Sequence, residues 1–178
     1  MANAEHTVSS RRVYAGHILG LRVDEVKLSS GALATREIVE HGEVVAIVAI
    51  DEDDQVILVR QFRKAIESFL LEVPAGGIDP GERPEHAARR ELLEETGRTS
   101  GKIEFLTKFY MSPGHCTEIM HVFIATNLEE GTAQPEDDEE IEVSTVPLGE
   151  IPDRIKRGEI EDAKTIASLM LALQLKLA

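Results

Sequence analysis

The sequence predicts a mixed β-sheet sandwiched between helices, in an α+β or α/β arrangement, with a small antiparallel β appendage at its N-terminus. Three observations support this: short alternating segments near the N-terminus, apolar strand-like runs in the middle of the chain, and helical patterns between and after those runs. Strands flanked by helices at different chain positions usually pack as layers around one core. A length of 178 residues fits one such domain with a small appendage.

The N-terminal β region is indicated by residues 11–40, where apolar and polar residues alternate between glycine-containing turns. The SSG turn at 29–31 is typical of a hairpin-like connection between two strands. We therefore expect short antiparallel strands here. We assign residues 1–40 to this region and residues 41–178 to the main domain.

The middle of the chain contains three predicted strands. The run VVAIVAI at 44–50 is too short to span a bilayer and indicates a buried strand. A polar turn at 51–54 leads into VILVRQF at 56–62, so these two strands are expected to form a central hairpin. A third strand, SFLLEVP at 68–74, ends at Pro74.

Pro84 and Gly97 bound the first predicted helix, because proline suits the first turn of a helix and glycine the position just after its end. The remaining predicted elements are strands at 102–110, 118–128 and 141–148 and helices around 149–157 and at 163–177. Helical spacing in the last helix predicts a core-facing stripe made of Ile166, Leu169, Met170, Leu173 and Leu177.

The chain is acidic, with a net charge of −14, and has one cysteine, Cys116. Binding to a nucleic-acid backbone depends on cationic contacts, and no Lys/Arg-rich patch is visible, so a nucleic-acid partner is not expected. One cysteine cannot form an internal disulfide, and residues 1–12 lack an apolar signal core. We therefore expect a cytoplasmic protein without a membrane partner. Phosphorylated substrates would require a divalent cation to offset the repulsion.

Carboxylates are concentrated in the segment GGIDPGERPEHAARRELLEETGR at 76–98. Glu91 and Glu95 lie one turn apart on the same face of the predicted helix, and Glu94 flanks them. Like charges about 6 Å apart repel by roughly 0.7 kcal/mol in water, and several-fold more at a protein-like dielectric. A hard divalent ion with oxygen ligands would compensate this charge. An acidic helix alone is more often a solvated surface, but the turns that precede this helix bring further oxygen atoms close to it.

The segment resembles the signature of the Nudix hydrolase family, G-x5-E-x7-R-E-U-x-E-E-x-G-U, in which U is a bulky apolar residue. The matching residues are Gly76, Glu82, Arg90, Glu91, Leu92, Glu94, Glu95 and Gly97. Arg98 departs from the pattern at the final U, a position that usually serves packing. The resemblance implies a Nudix fold, a strand–loop–helix metal site, and hydrolysis of a nucleoside diphosphate linked to another group.

The resemblance also implies a role for each matching residue, with Mg²⁺ or Mn²⁺ as the cofactor. The implied ligands are Glu91 and Glu95 as the principal pair, the Ala75 carbonyl, and Glu94 and Glu82 as supporting or water-mediated partners. Arg90 would orient the carboxylates through charge-assisted hydrogen bonds. The metal would lower the pKa of an attacking water, so that no covalent intermediate is needed.

Motifs outside this segment resemble the ADP-ribose pyrophosphatase subfamily, over about residues 11–172. Pro113 and Gly114 stand in an MSPG turn, at about the distance from the helix at which the subfamily has a proline. Arg63, in VRQFR, would reach the phosphates or the terminal ribose, and Glu72, in LLEVPAG, would lie close to the metal loop. An ordinary turn and a surface arginine remain alternatives.

The N-terminal region of this subfamily is exchanged between two subunits, where an Arg-Glu pair contacts the adenine. The matching residues here are Arg36 and Glu37, which implies a homodimer. A solvated ion pair at the end of a strand is the alternative.

The acidic run at 136–142 occupies the place of a loop that supplies a glutamate in this subfamily, either as a metal ligand or as the general base. Glu140 is the preferred candidate for this role, and Glu139 and Glu142 are the alternatives. The run is otherwise simply a solvated loop.

The resulting hypothesis is metal-dependent hydrolysis of ADP-ribose to AMP and ribose 5-phosphate. The first alternative is hydrolysis of another nucleoside diphosphate sugar, such as GDP-mannose or ADP-glucose. A non-catalytic nucleotide sensor and a purely structural acidic protein are further alternatives. The complete set of glutamates argues against a sensor, because a sensor has no need of the metal chemistry.

Overall fold

The computed structural model describes residues 5–133 and 140–177 and divides into two compact units. The first unit comprises the chain up to Glu43 together with Phe109–Ile119. The second unit comprises Val44–Lys108 and the chain from Met120 onward.

The first unit contains an antiparallel sheet of three described strands, β1 (His6–Ala15), β2 (Leu19–Lys27) and β3 (Leu33–His41), in the order β1-β2-β3. Gly31 turns the chain between β2 and β3 with a φ of +86°, a left-handed conformation that suits glycine. The predicted antiparallel β region and its SSG connection are therefore confirmed. The later segment joins β3 through a hydrogen bond from the Val39 N–H to the His115 carbonyl, 2.8 Å.

A mixed sheet forms the centre of the second unit, as predicted. Its described strands are β4 (Val44–Ile50), β5 (Gln55–Arg63), β6 (Ser68–Glu72), β7 (Ala75–Gly77), β8 (Arg98–Tyr110), β9 (Ile119–Glu130) and β10 (Ile141–Pro147). The order is β10-β5-β4-β9-β8, with β6 paired to β5 and β7 paired to β4. Strand β4 runs parallel to β9 and antiparallel to β5, and every residue of β4 is buried.

Three α-helices occur among the described residues: α1 (Pro84–Thr96), α2 (Ile151–Lys156) and α3 (Ala163–Leu177). Alternate residues of β4 point to opposite faces of the sheet. One set packs with Ala87, Ala88 and Leu92 of α1 in the core, and α3 also contacts β4. None of the described helices is long and apolar enough to cross a membrane.

Helix α1 begins at Pro84 and ends before Gly97, as the sequence predicts. Gly97 takes the left-handed conformation, with a φ of +66°, and its N–H donates to the Leu93 carbonyl at 2.8 Å. A Cβ on Gly97 would lie 2.8 Å from the backbone nitrogen of Ala133. Glycine is therefore needed here both for its conformation and for the close approach of a neighbouring chain segment.

The predicted core-facing stripe of α3 is wrong in part. Leu169 is fully buried, but Met170 is 39% exposed and Ile166 is only partly buried. The buried side of the helix is formed by Lys164, Thr165, Ser168, Leu169 and Ala172. A pattern based on large apolar residues misses this side because small and polar residues form most of it.

Candidate functional site

The loop before α1 is attached to the central strand of the sheet. Strand β7 pairs with β4 in the antiparallel direction, with Ala75 opposite Ala46 and Gly76 opposite Val45. The sequence predicts only a sharp turn here, because two glycines in three residues do not indicate a strand. The pairing fixes the backbone of β7 beside α1.

Gly76 lies directly against the Glu91 side chain. A Cβ on Gly76 would lie 2.1 Å from the carboxyl carbon of Glu91 and 2.2 Å from its Oε1. Any larger residue would therefore displace this carboxylate. Glu91 is 9% exposed, so it is nearly enclosed between the helix and the loop.

Glu95 lies on the same side of the helix, one turn further on. It is 5% exposed, and its Oε2 accepts a hydrogen bond from the Ala75 N–H at 3.2 Å. The structure thus brings the two glutamates that were predicted as principal ligands beside the loop residue whose carbonyl was predicted to join them. Their role as ligands remains a prediction.

Arg90 is the centre of a group of ion pairs. Its guanidinium donates to Glu82 at 2.9 Å, to Glu91 at 2.6 Å and to Glu94 at 3.0 Å. It also donates to the Gly77 carbonyl at 2.8 Å. The hydrogen bond to Glu82, followed by that to Glu91, raises the pKa of Arg90 despite partial burial. The same contact lowers the pKa of Glu82, so both groups are charged at neutral pH.

We call Arg90 and the four glutamates at positions 82, 91, 94 and 95 the carboxylate cluster. Four carboxylates accompany one guanidinium, so the cluster has a formal charge of −3. Its donors are all oxygen atoms, as Mg²⁺ and similar hard cations prefer. Its chemistry therefore fits a divalent cation. Within residues 5–133 and 140–177, no three acidic, histidine or cysteine side chains converge as the ligands of one ion do. Instead, Arg90 bridges three of the glutamates.

Arg63 and Glu72 form a second polar group in the same unit. The Arg63 Nε and Nη2 atoms donate to the two carboxylate oxygens of Glu72, each at 2.7 Å. Glu72 is 1% exposed, whereas 40% of the Arg63 side chain is exposed. Burial raises the pKa of Glu72, but the hydrogen bonds from Arg63 and the charge of Lys164 more than offset this, so the pKa lies below its ordinary value of 4.5.

Sequence reasoning assigned no role to Lys164, whose Nζ also donates to Glu72. The two residues are separated by 92 positions, so no local pattern connects them. The available signal was the sequence DAKT at 162–165, which places an aspartate and a charged lysine at the start of a helix.

Four predicted substrate residues lie in the first unit. Arg36 is paired with Glu5, with an Nε to Oε2 distance of 3.0 Å. Arg36 and Glu37 are neighbours on β3, so their side chains point to opposite faces of that sheet. Pro113 and Gly114 lie in a turn in which the Ser112 carbonyl accepts hydrogen bonds from two later N–H groups. Contact of these residues with substrate remains a prediction.

The candidates for the general base lie at the edge of the described residues. Glu140 is exposed and directly precedes β10. Glu142 is on β10, where it pairs with Arg60 at 3.0 Å. Glu139 lies outside the described residues.

Comparisons with known proteins bear on the whole chain. A family model described as the NUDIX domain matches residues 40–169, and one described as the nucleoside diphosphate sugar hydrolase N-terminal domain matches residues 5–39.

An ADP-ribose pyrophosphatase of Bacillus subtilis (strain 168) is 40% identical over 97% of this chain and 94% of its own length. A methanol dehydrogenase activator of Bacillus methanolicus is 37% identical over 93% of this chain and 90% of its own. The crystal structure of an ADP compounds hydrolase matches with a TM-score of 0.89 at 26% identity, covering 98% of this chain and 95% of that one.

Gly76→Ala is expected to weaken divalent-cation binding by at least about tenfold, because the new Cβ displaces the Glu91 carboxylate. Titration calorimetry with Mn²⁺ would measure the affinity. Gly77→Ala is the matched control, since a Cβ there meets nothing within 4 Å. Equal Mn²⁺ affinity in Gly76→Ala and the wild type would contradict the assignment of Glu91.

Proposed function

Because this chain belongs to the Nudix family, we propose that it is a divalent-metal-dependent hydrolase that converts ADP-ribose and water to AMP and ribose 5-phosphate. The carboxylate cluster is the observation that carries this proposal, with Glu91 against Gly76 and Glu95 hydrogen-bonded to Ala75. The similarity to the Bacillus subtilis ADP-ribose pyrophosphatase, over nearly the full length of both chains, supports the choice of substrate.

Mg²⁺ or Mn²⁺ would be held by Glu91, Glu95 and the Ala75 carbonyl, with Glu82 and Glu94 as supporting ligands. When bound, such an ion neutralises the diphosphate and lowers the pKa of an attacking water. Arg90 orients the glutamates of its ion pairs through charge-assisted hydrogen bonds. The Ala75 N–H fixes one oxygen of Glu95 beside the loop.

Hydrolysis breaks one P–O bond of the diphosphate bridge and forms one new P–O bond from water. The bridging oxygen leaves with the other phosphate, and the water proton passes to a general base. We assign this base to Glu140, which is exposed and directly precedes β10. A general base must reach the water in the complex with substrate, so an exposed position is compatible with this role.

Product analysis by mass spectrometry tests the proposed reaction. The protein with Mg²⁺ would be offered ADP-ribose, ADP-glucose, GDP-mannose and NADH in parallel. The expected result is rapid conversion of ADP-ribose to AMP and ribose 5-phosphate. Preferential cleavage of GDP-mannose or ADP-glucose would be consistent with the metal site but would contradict ADP-ribose as the substrate. A lack of cleavage with both Mg²⁺ and Mn²⁺ would favour a nucleotide sensor.

Glu95→Gln is expected to lower kcat by at least about 100-fold at saturating Mg²⁺, because it removes a charged ligand. The shape of the residue is kept, so the melting temperature should change little. The control is Glu85→Gln on the same helix, whose side chain is 42% exposed and pairs with Arg83 and Arg89. A turnover in Glu95→Gln close to that of the control would remove Glu95 from the ligand set.

We also propose a cytoplasmic homodimer in which residues 1–40 are exchanged between subunits. Every residue of β1 is exposed, and large apolar side chains of the first unit are open to solvent. The most exposed of these are Ile18, Tyr110, Leu33, Tyr14 and Val8. Burial of such side chains against a second copy would be favourable. In this arrangement Arg36 and Glu37 contact the adenine, while Pro113 and Gly114 contact the substrate.

Light scattering coupled to size exclusion should give twice the monomer mass of 19.6 kDa at micromolar concentration. A monomer under these conditions would contradict both the exchange and the adenine contacts assigned to Arg36 and Glu37.

A further inference from the structure

We propose that Lys164 is a positioning residue that acts through Glu72 to orient the Arg63 guanidinium toward the anionic substrate. The choice of a diphosphate as that anion rests on the proposed function. The arrangement of the three side chains is independent of it.

Glu72 is held on both of its oxygen atoms. Oε1 accepts from the Arg63 Nε, whereas Oε2 accepts from the Arg63 Nη2 and from the Lys164 Nζ. Glu72 is 1% exposed and the Lys164 side chain 11%. A buried carboxylate that loses one of its cations is strongly disfavoured, so the arrangement is restricted to one geometry.

Lys164 is itself fixed at the start of α3. Its Nζ donates to Asp162 at 3.0 Å, and the same carboxylate oxygen accepts from the Thr165 N–H at 2.9 Å. The Thr165 hydroxyl in turn accepts from the Val73 N–H at 2.9 Å. The first turn of α3 therefore holds both the Glu72 side chain and the backbone of the next residue.

Part of the Arg63 guanidinium makes no hydrogen bond to the described residues. Its Nη1 has no acceptor among residues 5–133 and 140–177, and 40% of its side chain is exposed. Glu72, which holds the guanidinium, lies three residues before Ala75, whose N–H donates to Glu95 of the carboxylate cluster. The charge of Glu95 also contributes, after the larger effect of Glu72, to raising the pKa of Arg63. Arg63 thus presents a fixed, partly exposed cation near the residues assigned to catalysis.

The charge balance of this group explains why a lysine is needed beside the ion pair of Arg63 and Glu72. Arg63 and Lys164 balance Glu72 and Asp162, so this group is formally neutral. Without the lysine, the buried Glu72 carboxylate loses one of its two described cations. Glu72 also loses the hydrogen bond from the Lys164 Nζ to its Oε2. Arg63 is then no longer held by a carboxylate of fixed position. Lys164→Met is therefore expected to raise KM.

A double-mutant cycle tests this coupling. Arg63→Gln, Lys164→Met and the double variant would be compared with the wild type for ADP-ribose hydrolysis at saturating Mg²⁺. Each single substitution is expected to raise KM by about tenfold, and the double variant should resemble Arg63→Gln alone, because Lys164 acts through Arg63. Lys164→Arg should restore most of the affinity. An unchanged KM in Lys164→Met, or effects that multiply in the double variant, would overturn the proposal.

A second readout does not depend on the reaction. The Arg63 Nε–H, which donates to buried Glu72, should give a slowly exchanging signal in the arginine side-chain region of an ¹⁵N NMR spectrum, assigned by its loss in Arg63→Gln. This exchange should be at least about tenfold faster in Lys164→Met and in the isosteric Glu72→Gln. The surface control Lys102→Met, which only loses a pair with Glu104, should leave it unchanged.

The kinetic and NMR measurements distinguish a failure of the positioning role of Lys164 from a failure of the proposed function. If the wild type hydrolyses none of the offered nucleotides, the proposed function fails, and the exchange of the Arg63 Nε–H still decides the role of Lys164. An exchange rate that is the same in Lys164→Met, Glu72→Gln and the wild type would overturn the positioning role.

Discussion

The concentration of negative charge beside Gly76 is the constraint on which the rest of the site depends. Glu91 can occupy its place only because no side chain projects from the neighbouring backbone. That backbone is fixed by pairing with the central strand β4, while α1 is fixed against the same strand through small residues such as Ala87 and Ala88. Arg90 then limits the repulsion between the glutamates by bonding to three of them.

Buried charges also fix the backbone a few residues before Gly76. Glu72 at the end of β6 is balanced by Arg63 and Lys164, and Ala75 and Gly76 adjoin Glu95 and Glu91. The short segment from Glu72 to Gly77 is therefore fixed by buried charges at both ends. Buried ion pairs contribute little net stability but define one geometry, because each alternative leaves a charge unpaired. A site that must place several carboxylates accurately benefits from such restriction.

The elements bounded by strong local signals are predictable from the sequence. Helix α1 has the predicted limits because Pro84 and Gly97 determine its ends through their backbone properties. Features that depend on distant partners are not predictable in this way. Strand β7 exists because β4 lies beside it, and Lys164 is buried because Glu72 needs a second cation. Apolar spacing wrongly predicts that Met170 faces the core, because it takes no account of the polar contacts that determine which side of α3 is buried.

The most direct test of the account is the position of a bound divalent cation, measured by anomalous diffraction from crystals containing Mn²⁺. We expect an anomalous peak between the β7 loop and α1, with oxygen atoms of Glu91, Glu95 and the Ala75 carbonyl as ligands. A fully occupied peak elsewhere in the protein, or no peak beside Gly76 under conditions in which substrate is hydrolysed, would contradict it.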